Sequence, residues 1–334
     1  MSGLKVLFIG GTGVISSACA REAVSGDHDI ELFVLTRGQS AARPLPPGVT
    51  ELRADARDAA SVRDAVGGLD FDCVVDFIAF TPGHVRADLD LFRGRTGQYV
   101  FISTASAYQK PPSRLPVTES TPLRNPHWQY SRDKIACEDL LTAEYRDTGF
   151  PATVIRPSHT YDASKTVLSG GWTSLRRMLT GKPVIVHGDG TSLWTVTHHT
   201  DFARAFVPLL GHPRTLGEAF HITSDDVLTW DQIAHALAGA LGVTPRIVHV
   251  PSDVIAAHDP DWGAGLLGDK AHSMVFDNAK VKSVVPGWRA VVPFERGARE
   301  IARWYTSDPG GPRQVIDEKL DALMDRLADD YGVP

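Results

Sequence analysis

Short apolar, β-branched runs alternate with helix-length segments along the first half of the chain. Six runs have the length and composition of strands: KVLFIG, IELFVLTR, VTELRAD, FDCVVDFIAF, QYVFIST and PATVIRPS. The segments that can supply crossover helices between them are residues 14–25, 58–67, 84–93 and 131–147. This alternation predicts an α/β fold with a doubly wound parallel sheet.

After residue 160 the pattern loosens, and shorter strands are expected in KPVIVHGDG, WTVTHHT and EAFHITS. The stretch TWDQIAHALAGALG has the apolar spacing of an amphipathic helix. We therefore predict two interleaved units, a sheet unit of residues 1–160 with about 193–222, and a smaller unit of 161–192 and 223–306. Residues 307–334 are expected to hold a linker, SDPGGPR, and a last helix whose apolar stripe is Ile316, Leu320, Leu323 and Leu327.

Composition narrows the class of protein. The 334 residues are 43% apolar and carry a net charge of −6, which predicts a globular protein without a basic surface for nucleic acid. Three distant cysteines without CxxC spacing favour a reducing compartment. No run reaches the roughly 20 apolar residues that span a bilayer, and no signal peptide is recognisable. We therefore expect a cytoplasmic protein with no membrane partner.

The stretch VLFIGGTGVISS combines a strand, a glycine turn and the start of a helix. Gly10 and Gly11 permit the tight turn, and Gly13 lets a pyrophosphate approach the backbone. The helix that follows offers unpaired N–H groups to the anion. Ser16 stands where a third glycine is usual. We predict a dinucleotide site that also includes Thr12, Val14 and Ile15.

The end of the second strand bears on which dinucleotide is bound. An acidic residue there would bind the ribose hydroxyls of NAD, but the chain has Thr36 and Arg37. Arg37 can meet the 2′-phosphate of NADP, or it is a solvated turn residue. Asp55, followed by Ala56 after the third strand, is placed to accept a hydrogen bond from the adenine amine. Both NAD and NADP stay open, with Arg37 favouring NADP.

Tyr130 and Lys134, in QYSRDKIACEDLL, are four residues apart and therefore share one face of a helix. A phenol with a pKa of about 10 is a poor base at neutral pH. A nearby ammonium group and an oxidised nicotinamide both favour the phenolate. Tyr130 can then exchange a proton with a substrate oxygen. The fifth strand ends in FISTASAY, which places hydroxyl groups upstream of this helix.

These motifs together resemble those of the extended short-chain dehydrogenase/reductases, the superfamily of the NAD-dependent sugar epimerases and dehydratases. The resemblance runs through GGTGVIS, ADARD, DFIAF, STASAY, YSRDK, IRPSHTY, HGDG, TDFARAF and FDNAKVKSVVPGW in the family's order. It implies a Rossmann-like domain, a smaller substrate-binding domain, bound NAD or NADP, and hydride transfer at a hydroxyl-bearing carbon. It also implies a homodimer formed through two helices of each subunit, one of them carrying Tyr130 and Lys134.

The resemblance carries over residue by residue. Thr104 matches the family's catalytic Ser or Thr, and Ser106 lies close enough to share its pocket. His159, after the sixth strand, matches a position that often contacts substrate, and Phe80 and Trp194 are expected beside it. The remaining positions expected along the cofactor are Phe77, Ile78, Ala79, Ser103 and Pro157, together with Tyr130 and Lys134 themselves.

Two positions depart from the pattern of the enzymes that act on nucleotide-diphosphate sugars. Where those enzymes clamp the diphosphate with arginines, this chain has Trp194 and Leu266. Neither side chain can form the charge-assisted hydrogen bonds that an arginine guanidinium makes to phosphate. A diphosphate would therefore have no anchor unless Arg176, Arg177 or Lys270 supplied one. We expect a carbohydrate-like substrate without a nucleotide diphosphate, such as a free sugar, glycoside, sugar acid or nucleoside.

The type of reaction stays open. An epimerase retains its cofactor and returns hydride to the other face of the carbon, whereas an NADPH-dependent ketone or aldehyde reductase stops after one transfer. Dehydration is disfavoured because TASA has no carboxylate beside Thr104. A non-catalytic NAD(P)- or RNA-binding relative is the further alternative, although intact Tyr130 and Lys134 and the acidic composition speak against it.

The paired histidines in WTVTHHTD suggest a metal site at first sight. If this stretch is a strand, His198 and His199 point to opposite faces and cannot bind one ion. Thr200 is then expected to cap the next helix and Asp201 to complement its dipole. No metal site is predicted. His127 and Trp128, just before Tyr130, either roof the site or pack beneath the loop. Asp269, Lys270 and His272 lie in a segment that should face substrate, but they are interpreted as surface residues.

Overall fold

The central strands are apolar on both faces, and both faces are buried. In the computed structural model, which describes residues 3–39 and 43–332, Val6 and Phe8 of the first strand pack on one side of a sheet. Leu7 and Ile9 of the same strand pack on the other side. Burial of both faces is typical of parallel strands covered by crossover helices.

Thirteen strands are described in the structure. They are β1 Leu4–Ile9, β2 Ile30–Thr36, β3 Thr50–Arg53, β4 Phe71–Asp76, β5 Thr96–Ile102, β6 Ala152–Pro157, β7 His159–Tyr161, β8 Pro183–His187, β9 Leu193–Trp194, β10 Val196–His198, β11 Ala219–Ile222, β12 Leu228–Thr229 and β13 Arg246–Val250.

The α-helices alternate with these strands in the first half of the chain and predominate in the second half. They are α1 Val14–Ala23, α2 Ala59–Val66, α3 Pro82–Phe92, α4 Gln129–Thr148, α5 Trp172–Leu179, α6 His199–Phe206, α7 Trp230–Ala240, α8 Ser252–His258, α9 Pro260–Gly265, α10 Ala279–Val284, α11 Phe294–Thr306 and α12 Glu318–Tyr331. Short 3₁₀ turns and one π-helical segment, Leu266–Lys270, complete the chain.

Seven strands form one parallel sheet in the order β11-β6-β5-β4-β1-β2-β3. The strands β2 and β3 lie on one side of β1, and the strands β4, β5, β6 and β11 lie on the other side. The strand order therefore reverses between β1 and β4. Ile9 pairs with Leu35 of β2 and with Asp76 of β4, which brings the carboxyl ends of these strands to one edge. This is the edge at which doubly wound sheets bind ligands. The predicted Rossmann-like fold is confirmed.

Helices cover both faces of the sheet. On one face α1 packs against α6, and Phe202 and Phe206 of α6 are fully buried there. On the other face lie α2, α3 and α4, which contribute Val62, Val85 and Leu141 to a second buried cluster. The free cysteines Cys19, Cys73 and Cys137 are buried in these two clusters.

Smaller two-stranded sheets lie outside the main sheet and pair β8 with β13, β7 with β10, and β9 with β12. A third buried cluster, which includes Trp194 and Trp230, lies among them and the helices α5, α7 and α11. The strand β11 is part of the main sheet, within the range 193–222 assigned to the sheet unit. The division into two domains stays a prediction. Among the described residues, no helix combines the length and apolar character needed to cross a membrane.

Three sequence-based expectations were wrong. The run WTVTHHT is not one strand, because β9 pairs with β12 and β10 pairs with β7, with a break at Thr195. The helix α6 begins at His199, and its cap is His198 instead of Thr200, since the His198 side chain accepts from the Thr200 backbone N–H. The last helix begins at Glu318, so Ile316 lies before it and is 40% exposed.

A buried ion pair fixes α4 to the sheet. The Glu138 carboxylate accepts from Arg156 of β6, with Oε2 2.6 Å from Nη2. The Ser103 hydroxyl, at the end of β5, also donates to Glu138. The same arginine donates to the Tyr108 hydroxyl at 3.1 Å. The inner face of α4 is therefore tied to the ends of two neighbouring strands.

Candidate active site

The glycine turn after β1 opens a groove at the carboxyl edge of the sheet. Gly10 has a φ of +86°, a left-handed conformation that favours glycine. Gly13 is the N-cap of α1, and its N–H donates to the Ser16 hydroxyl at 2.8 Å. The serine at the position of the usual third glycine therefore serves as a local cap. The first N–H groups of α1 face the groove without intrahelical partners.

The groove has a volume of about 650 Å³ and continues past the ends of β2, β3 and β4. Eleven of the positions predicted along a cofactor line it: Gly10, Thr12, Gly13, Val14, Ile15, Thr36, Arg37, Asp55, Ala56, Phe77 and Ile78. An elongated groove with a glycine cradle and a helix N-terminus at its centre fits a dinucleotide, with the pyrophosphate at the helix.

Two predicted residues lie beneath the groove and do not line it. A Cβ atom on Gly11 would come within 2.3 Å of the Val34 side chain, so this glycine allows the turn to pack on β2. Ala79 is fully buried, and its carbonyl accepts from Lys134. The predicted contribution of Gly11 and Ala79 to cofactor binding is indirect, through the backbone conformation that they allow. It stays a prediction.

Arg57 lies on the groove wall, and sequence reasoning did not identify it. Its guanidinium donates to the Ile78 carbonyl and lies 5.7 Å from the centre of the Phe80 ring. Its backbone N–H donates to Asp55 at 2.9 Å, which orients that carboxylate. Arg37 is exposed at the end of β2. The end of the groove beside β2 and β3 is therefore edged by both signs of charge.

Helix α4 carries Tyr130 and Lys134 one turn apart at its amino-terminal end. The Lys134 ammonium is buried and donates to the carbonyls of Ala79 and Ile102, each at 2.6 Å. It lies 5.9 Å from the centre of the Tyr130 ring. Burial lowers the pKa of Lys134 to about 8, although nearby Asp76 acts in the opposite direction. The lysine is thus held by the ends of the strands beside the tyrosine.

The Tyr130 phenol is held in its protonated form. Burial raises its pKa to about 12, while the neighbouring Thr104 hydroxyl acts to lower it. The Tyr130 ring lies between Trp128, at 4.9 Å between ring centres, and Phe80, at 6.3 Å. Partial burial beside these rings disfavours the charged phenolate, so the protein alone favours a proton donor at this position.

A chain of hydroxyl groups begins at Thr104, where β5 ends. The Thr104 and Ser106 hydroxyls are 3.0 Å apart, and Ser106 is 2.6 Å from the hydroxyl of Ser131 on α4. Thr104 also accepts from the backbone N–H of Ser106 at 3.2 Å, which fixes the turn. The structure therefore brings the predicted pair Thr104 and Ser106 together with Tyr130.

A cavity of about 370 Å³ contains these groups. All five predicted substrate-contacting residues line it, together with Tyr130 and Lys134. The predicted members are Phe80, Thr104, Ser106, His159 and Trp194, with Ser103 and Pro157 from the cofactor set. Residues Ile15, Phe77, Phe80, Thr160 and Lys165 line both this cavity and the groove. The two spaces therefore adjoin, with Tyr130 beside their junction.

Asp269 is part of this cavity, and interpreting it as a surface residue was wrong. It is 3% exposed and lies 2.8 Å from the Nε2 atom of His159. One feature of the sequence pointed to a role for Asp269 in the site, namely the Gly-Asp pair in GLLGDKAH. Lys165 was also missed, because its place at the junction depends on the path of the loop after β7.

The diphosphate-clamping positions hold buried apolar side chains. Trp194 and Leu266 are each 1% exposed. Arg177 is turned to α12, where its guanidinium lies 2.5 Å from Asp321. The Lys270 ammonium lies 5.9 Å from the Trp128 ring centre, and its donor contact is the Gly265 carbonyl. Neither Arg177 nor Lys270 lines the described cavity.

The paired histidines are structural neighbours. Because His199 begins a helix, the two rings are 4.5 Å apart instead of on opposite faces of a strand. His198 bonds the Thr200 hydroxyl at 2.7 Å and Glu300 at 3.0 Å. Within residues 3–39 and 43–332, no group of three His, Cys, Asp or Glu side chains has metal-binding geometry. Asp201 lies in the first turn of α6, as predicted.

Similar proteins share this organisation. A 2′-dehydrokanamycin reductase from Streptomyces kanamyceticus is 27% identical over 335 residues, covering 97% of this chain and 91% of that protein. The chloroplast stem-loop binding protein of 41 kDa b from Arabidopsis thaliana is 29% identical over 258 residues, 73% of this chain and 65% of that protein. The structure of dTDP-glucose 4,6-dehydratase from Bacillus anthracis strain Ames in complex with NAD superposes with a TM-score of 0.73 at 20% identity, covering 91% of this chain and 97% of that one.

The family match spans the glycine turn, α4 and the sheet. Residues 6–223 match the NAD dependent epimerase/dehydratase family. The match contains the whole of the described groove and the catalytic candidates Thr104, Tyr130 and Lys134. The predicted family, cofactor class and enzymatic nature are thereby confirmed. The chain belongs to the NAD-dependent epimerase/dehydratase family, enzymes of the extended short-chain dehydrogenase/reductase type that use a nicotinamide dinucleotide.

Proposed function

We propose that the protein transfers hydride between NAD(P) and a hydroxyl-bearing carbon of a carbohydrate-like substrate, with Tyr130 as the acid/base. The observation that carries this proposal is the junction of the glycine-lined groove with the cavity that holds Tyr130, Thr104 and Ser106. When bound, the dinucleotide supplies or accepts the hydride. The residues of the chain position the substrate oxygen and move its proton.

Tyr130 is the proton donor in the direction of reduction. Its raised pKa keeps the phenol protonated at neutral pH, so the O–H group can protonate a substrate oxygen as the hydride arrives. The hydroxyls of Thr104 and Ser106 lie beside it and can hold that oxygen. In oxidation, the buried ammonium of Lys134 stabilises the phenolate electrostatically.

The substrate is proposed to lack a nucleotide diphosphate. Trp194 and Leu266 replace the expected arginines and are buried, and Arg177 is committed to Asp321. Without such a fork a diphosphate would lose its charge-assisted hydrogen bonds. The similarity over 97% of the chain to a 2′-dehydrokanamycin reductase supports a glycoside with a ketone or secondary alcohol.

We propose reduction with NADPH as the reaction, and epimerisation as the second candidate. The exposed guanidinium of Arg37 at the end of β2 supports recognition of a 2′-phosphate. The name of the reductase relative favours a single hydride transfer. The family name favours epimerisation, in which the cofactor is retained through turnover.

A role in RNA binding is less well supported. The stem-loop binding protein of Arabidopsis belongs among the similar proteins, but this chain carries a net charge of −6. Phosphate contacts require clustered lysine and arginine residues. The complete set of Tyr130, Lys134 and Thr104 around one cavity supports catalysis instead.

The nucleotide content of the purified protein tests the choice between the two reactions. The protein is denatured, and any released nucleotide is identified and quantified by mass spectrometry. An empty or exchangeable site that binds NADPH more tightly than NADH supports the reductase. Stoichiometric NAD that survives purification would contradict it and support the epimerase.

A second titration tests the substrate class. UDP and dTDP are added separately to the protein saturated with NADP, and binding is measured by calorimetry. Binding weaker than millimolar is expected, because no described arginine lines the cavity. Micromolar binding of either nucleotide would contradict the absence of a diphosphate site.

We further propose a homodimer formed through α3 and α4, which pack against each other on one outer face of the sheet. Light scattering should give twice the 36.2 kDa of one chain. A monomer at micromolar concentration would contradict this proposal. The cytoplasmic location stays a prediction that rests on the cysteine content.

A further inference from the structure

A histidine and a carboxylate that are 110 residues apart in sequence meet in the substrate cavity. The His159 Nε2 atom lies 2.8 Å from Asp269 Oδ2, within hydrogen-bond distance. His159 follows β6, whereas Asp269 belongs to the π-helical segment Leu266–Lys270. Both residues line the cavity that contains Tyr130.

The carboxylate determines which nitrogen of His159 carries the proton. Burial opposes the charge on Asp269, but the hydrogen bond from His159 and the nearby Lys110 and Lys270 hold its pKa below the usual range. An ionised carboxylate only accepts hydrogen bonds, so Nε2 must be the protonated nitrogen. Burial also lowers the pKa of His159, and the ring is therefore neutral at pH 7.

The ring is held in one orientation. Trp194 packs edge-to-face against His159 with 4.9 Å between ring centres and an angle of 78°. Trp230 approaches it in the same manner at 6.0 Å and 87°. Trp194 therefore acts from behind the histidine, buried in the wall of the cavity.

The other oxygen of Asp269 is buried, has no hydrogen-bond partner among the described residues and faces an ammonium group. Asp269 Oδ1 lies 3.8 Å from the buried ammonium of Lys110. That ammonium is in turn held by the Tyr108 carbonyl at 3.1 Å. The carboxylate thus has its charge balanced within the protein. The side chain left partly open to the cavity is His159, which is 24% exposed.

We infer that His159 is a fixed hydrogen-bond acceptor for a second substrate hydroxyl, and that Asp269 is the positioning residue that fixes it. With Nε2–H directed to Asp269, the lone pair on Nδ1 is the ring's remaining polar group. This assignment rests on the proposed function, since it specifies the substrate of the same cavity. The substrate then carries a hydroxyl near the reacting carbon. A substrate with an ether or carbonyl oxygen at that position is rejected, because two acceptors would face each other.

The tautomer of His159 can be measured directly. Nitrogen-15 spectra of the holoenzyme at pH 7, with His159 assigned by its loss in His159→Phe, should show a protonated Nε2 and a bare Nδ1. In Asp269→Asn the carboxylate is gone, so the two tautomers should mix. A protonated Nδ1 in the wild type, or a doubly protonated ring, would overturn the inference. This result does not depend on finding a substrate.

Kinetics test the contact with substrate. The probes are methyl glycosides and their monodeoxy analogues, assayed with NADP in the direction of oxidation. For the glycoside with the highest turnover, loss of the neighbouring hydroxyl should reduce kcat/KM of the wild type at least tenfold, and should have little effect in His159→Phe. The variant Asp269→Asn should raise KM more than it lowers kcat and shift the acidic limb of the pH profile. The control, exposed His235→Gln on α7, should keep the wild-type penalty.

The two proposals fail in different ways. Turnover with an equal penalty in wild type and His159→Phe would overturn the acceptor role while leaving hydride transfer intact. No NADP-linked turnover with any glycoside would count against the proposed function, and the nitrogen-15 result would still decide the tautomer.

Discussion

The surroundings of Tyr130 favour the protonated phenol more strongly than the sequence suggested. From the four-residue spacing we expected Lys134 to lower the pKa of the phenol, but burial dominates and raises that pKa to about 12. Lys134 instead donates to two backbone carbonyls and is itself shifted to a pKa of about 8. The protein therefore presents an acid, and the phenolate needs the positive charge of an oxidised nicotinamide.

Replacement of the phenol tests its catalytic role. Tyr130→Phe should lower kcat by roughly 10²- to 10⁴-fold, the range typical of lost general acid catalysis. Binding of NADPH and the thermal midpoint should stay close to the wild type, because the Tyr130 oxygen has no bond that supports the fold. Tyr145→Phe, also on α4 but 40% exposed, is the matched control. Equal effects of the two substitutions would contradict the assignment.

The raised pKa of Tyr130 also sets the pH dependence of activity. Reduction uses the protonated phenol, which persists well above neutrality, so kcat/KM for reduction should be flat between pH 6 and 8. Oxidation uses the phenolate, whose fraction grows with pH, so kcat/KM for oxidation should rise. Initial rates in both directions check this. A fall in the reduction rate across neutral pH would show that another acid is used.

At the level of residues, local motifs were predictable and long-range partners were not. The glycine turn and the pair of Tyr130 and Lys134 were identified from the spacing of their motifs, and Thr104 from the family resemblance at the end of the fifth strand. Lys165 was not identified, since nothing local indicates that it meets the cavity, and Asp269 was interpreted as a surface residue although the Gly-Asp pair in GLLGDKAH pointed to it. The roles predicted for these side chains stay predictions until substitutions are measured.

Helix α4 is the element on which the site depends, because it carries Tyr130 and Lys134 and is fixed by Glu138 further along its inner face. The strands of the main sheet were predicted to within a few residues, since apolar β-branched runs buried on both faces are unambiguous. The structure of residues 194–200 was not predicted correctly, because the two halves of this stretch pair with different strands. Such pairing depends on chain segments far away in sequence.

Breaking the buried ion pair of α4 tests this role. Glu138→Gln should lower the free energy of unfolding by about 3 kcal/mol, because Arg156 would keep a buried charge without its partner. Glu144 lies on the same helix and forms a solvent-accessible pair with Arg93 at the end of α3, so Glu144→Gln is the control, expected to cost about 0.5 kcal/mol. Denaturant titrations measure both. Similar losses for the two variants would refute the proposed anchoring.

At the scale of the whole molecule, buried histidines link stability to pH. Burial lowers the pKa values of His187 and His199 to about 4, from about 6.5 in the unfolded chain. Burial lowers those of His159 and His221 as well, whereas the raised pKa of Asp88 acts in the opposite sense. Burial also raises the pKa of Asp139, but these four histidines outnumber the two carboxyl groups, so between pH 6.5 and 4 the unfolded chain binds more protons.

Stability should therefore be fully present above pH 6.5 and be lost as the pH falls towards 4. Each histidine contributes up to about 1.4 kcal/mol per pH unit in this window. Guanidinium titrations at pH 7, 6 and 5 measure the slope, and His187→Gln should reduce it while exposed His235→Gln leaves it unchanged. A free energy of unfolding that is constant from pH 7 to 5 would contradict the linkage.

The overall architecture was predictable because periodicity, motif order and family resemblance all pointed to one doubly wound sheet. The way in which the groove adjoins the cavity could not be predicted, because it depends on the loop after β7 and on the π-helical segment. The central claim concerns this junction, where hydride must pass from the dinucleotide to a substrate carbon beside Tyr130.

Transfer of deuterium from the cofactor is the most direct measurement of that claim. The protein is mixed with NADPH that carries deuterium at both C4 positions of the nicotinamide and with keto-glycosides, including 2′-dehydrokanamycin, and the products are examined by mass spectrometry. We predict one carbon-bound deuterium in the product of the wild type, and a rate reduced roughly 10²-fold or more in Tyr130→Phe. Absence of label from every product of the cofactor-saturated wild type would contradict it.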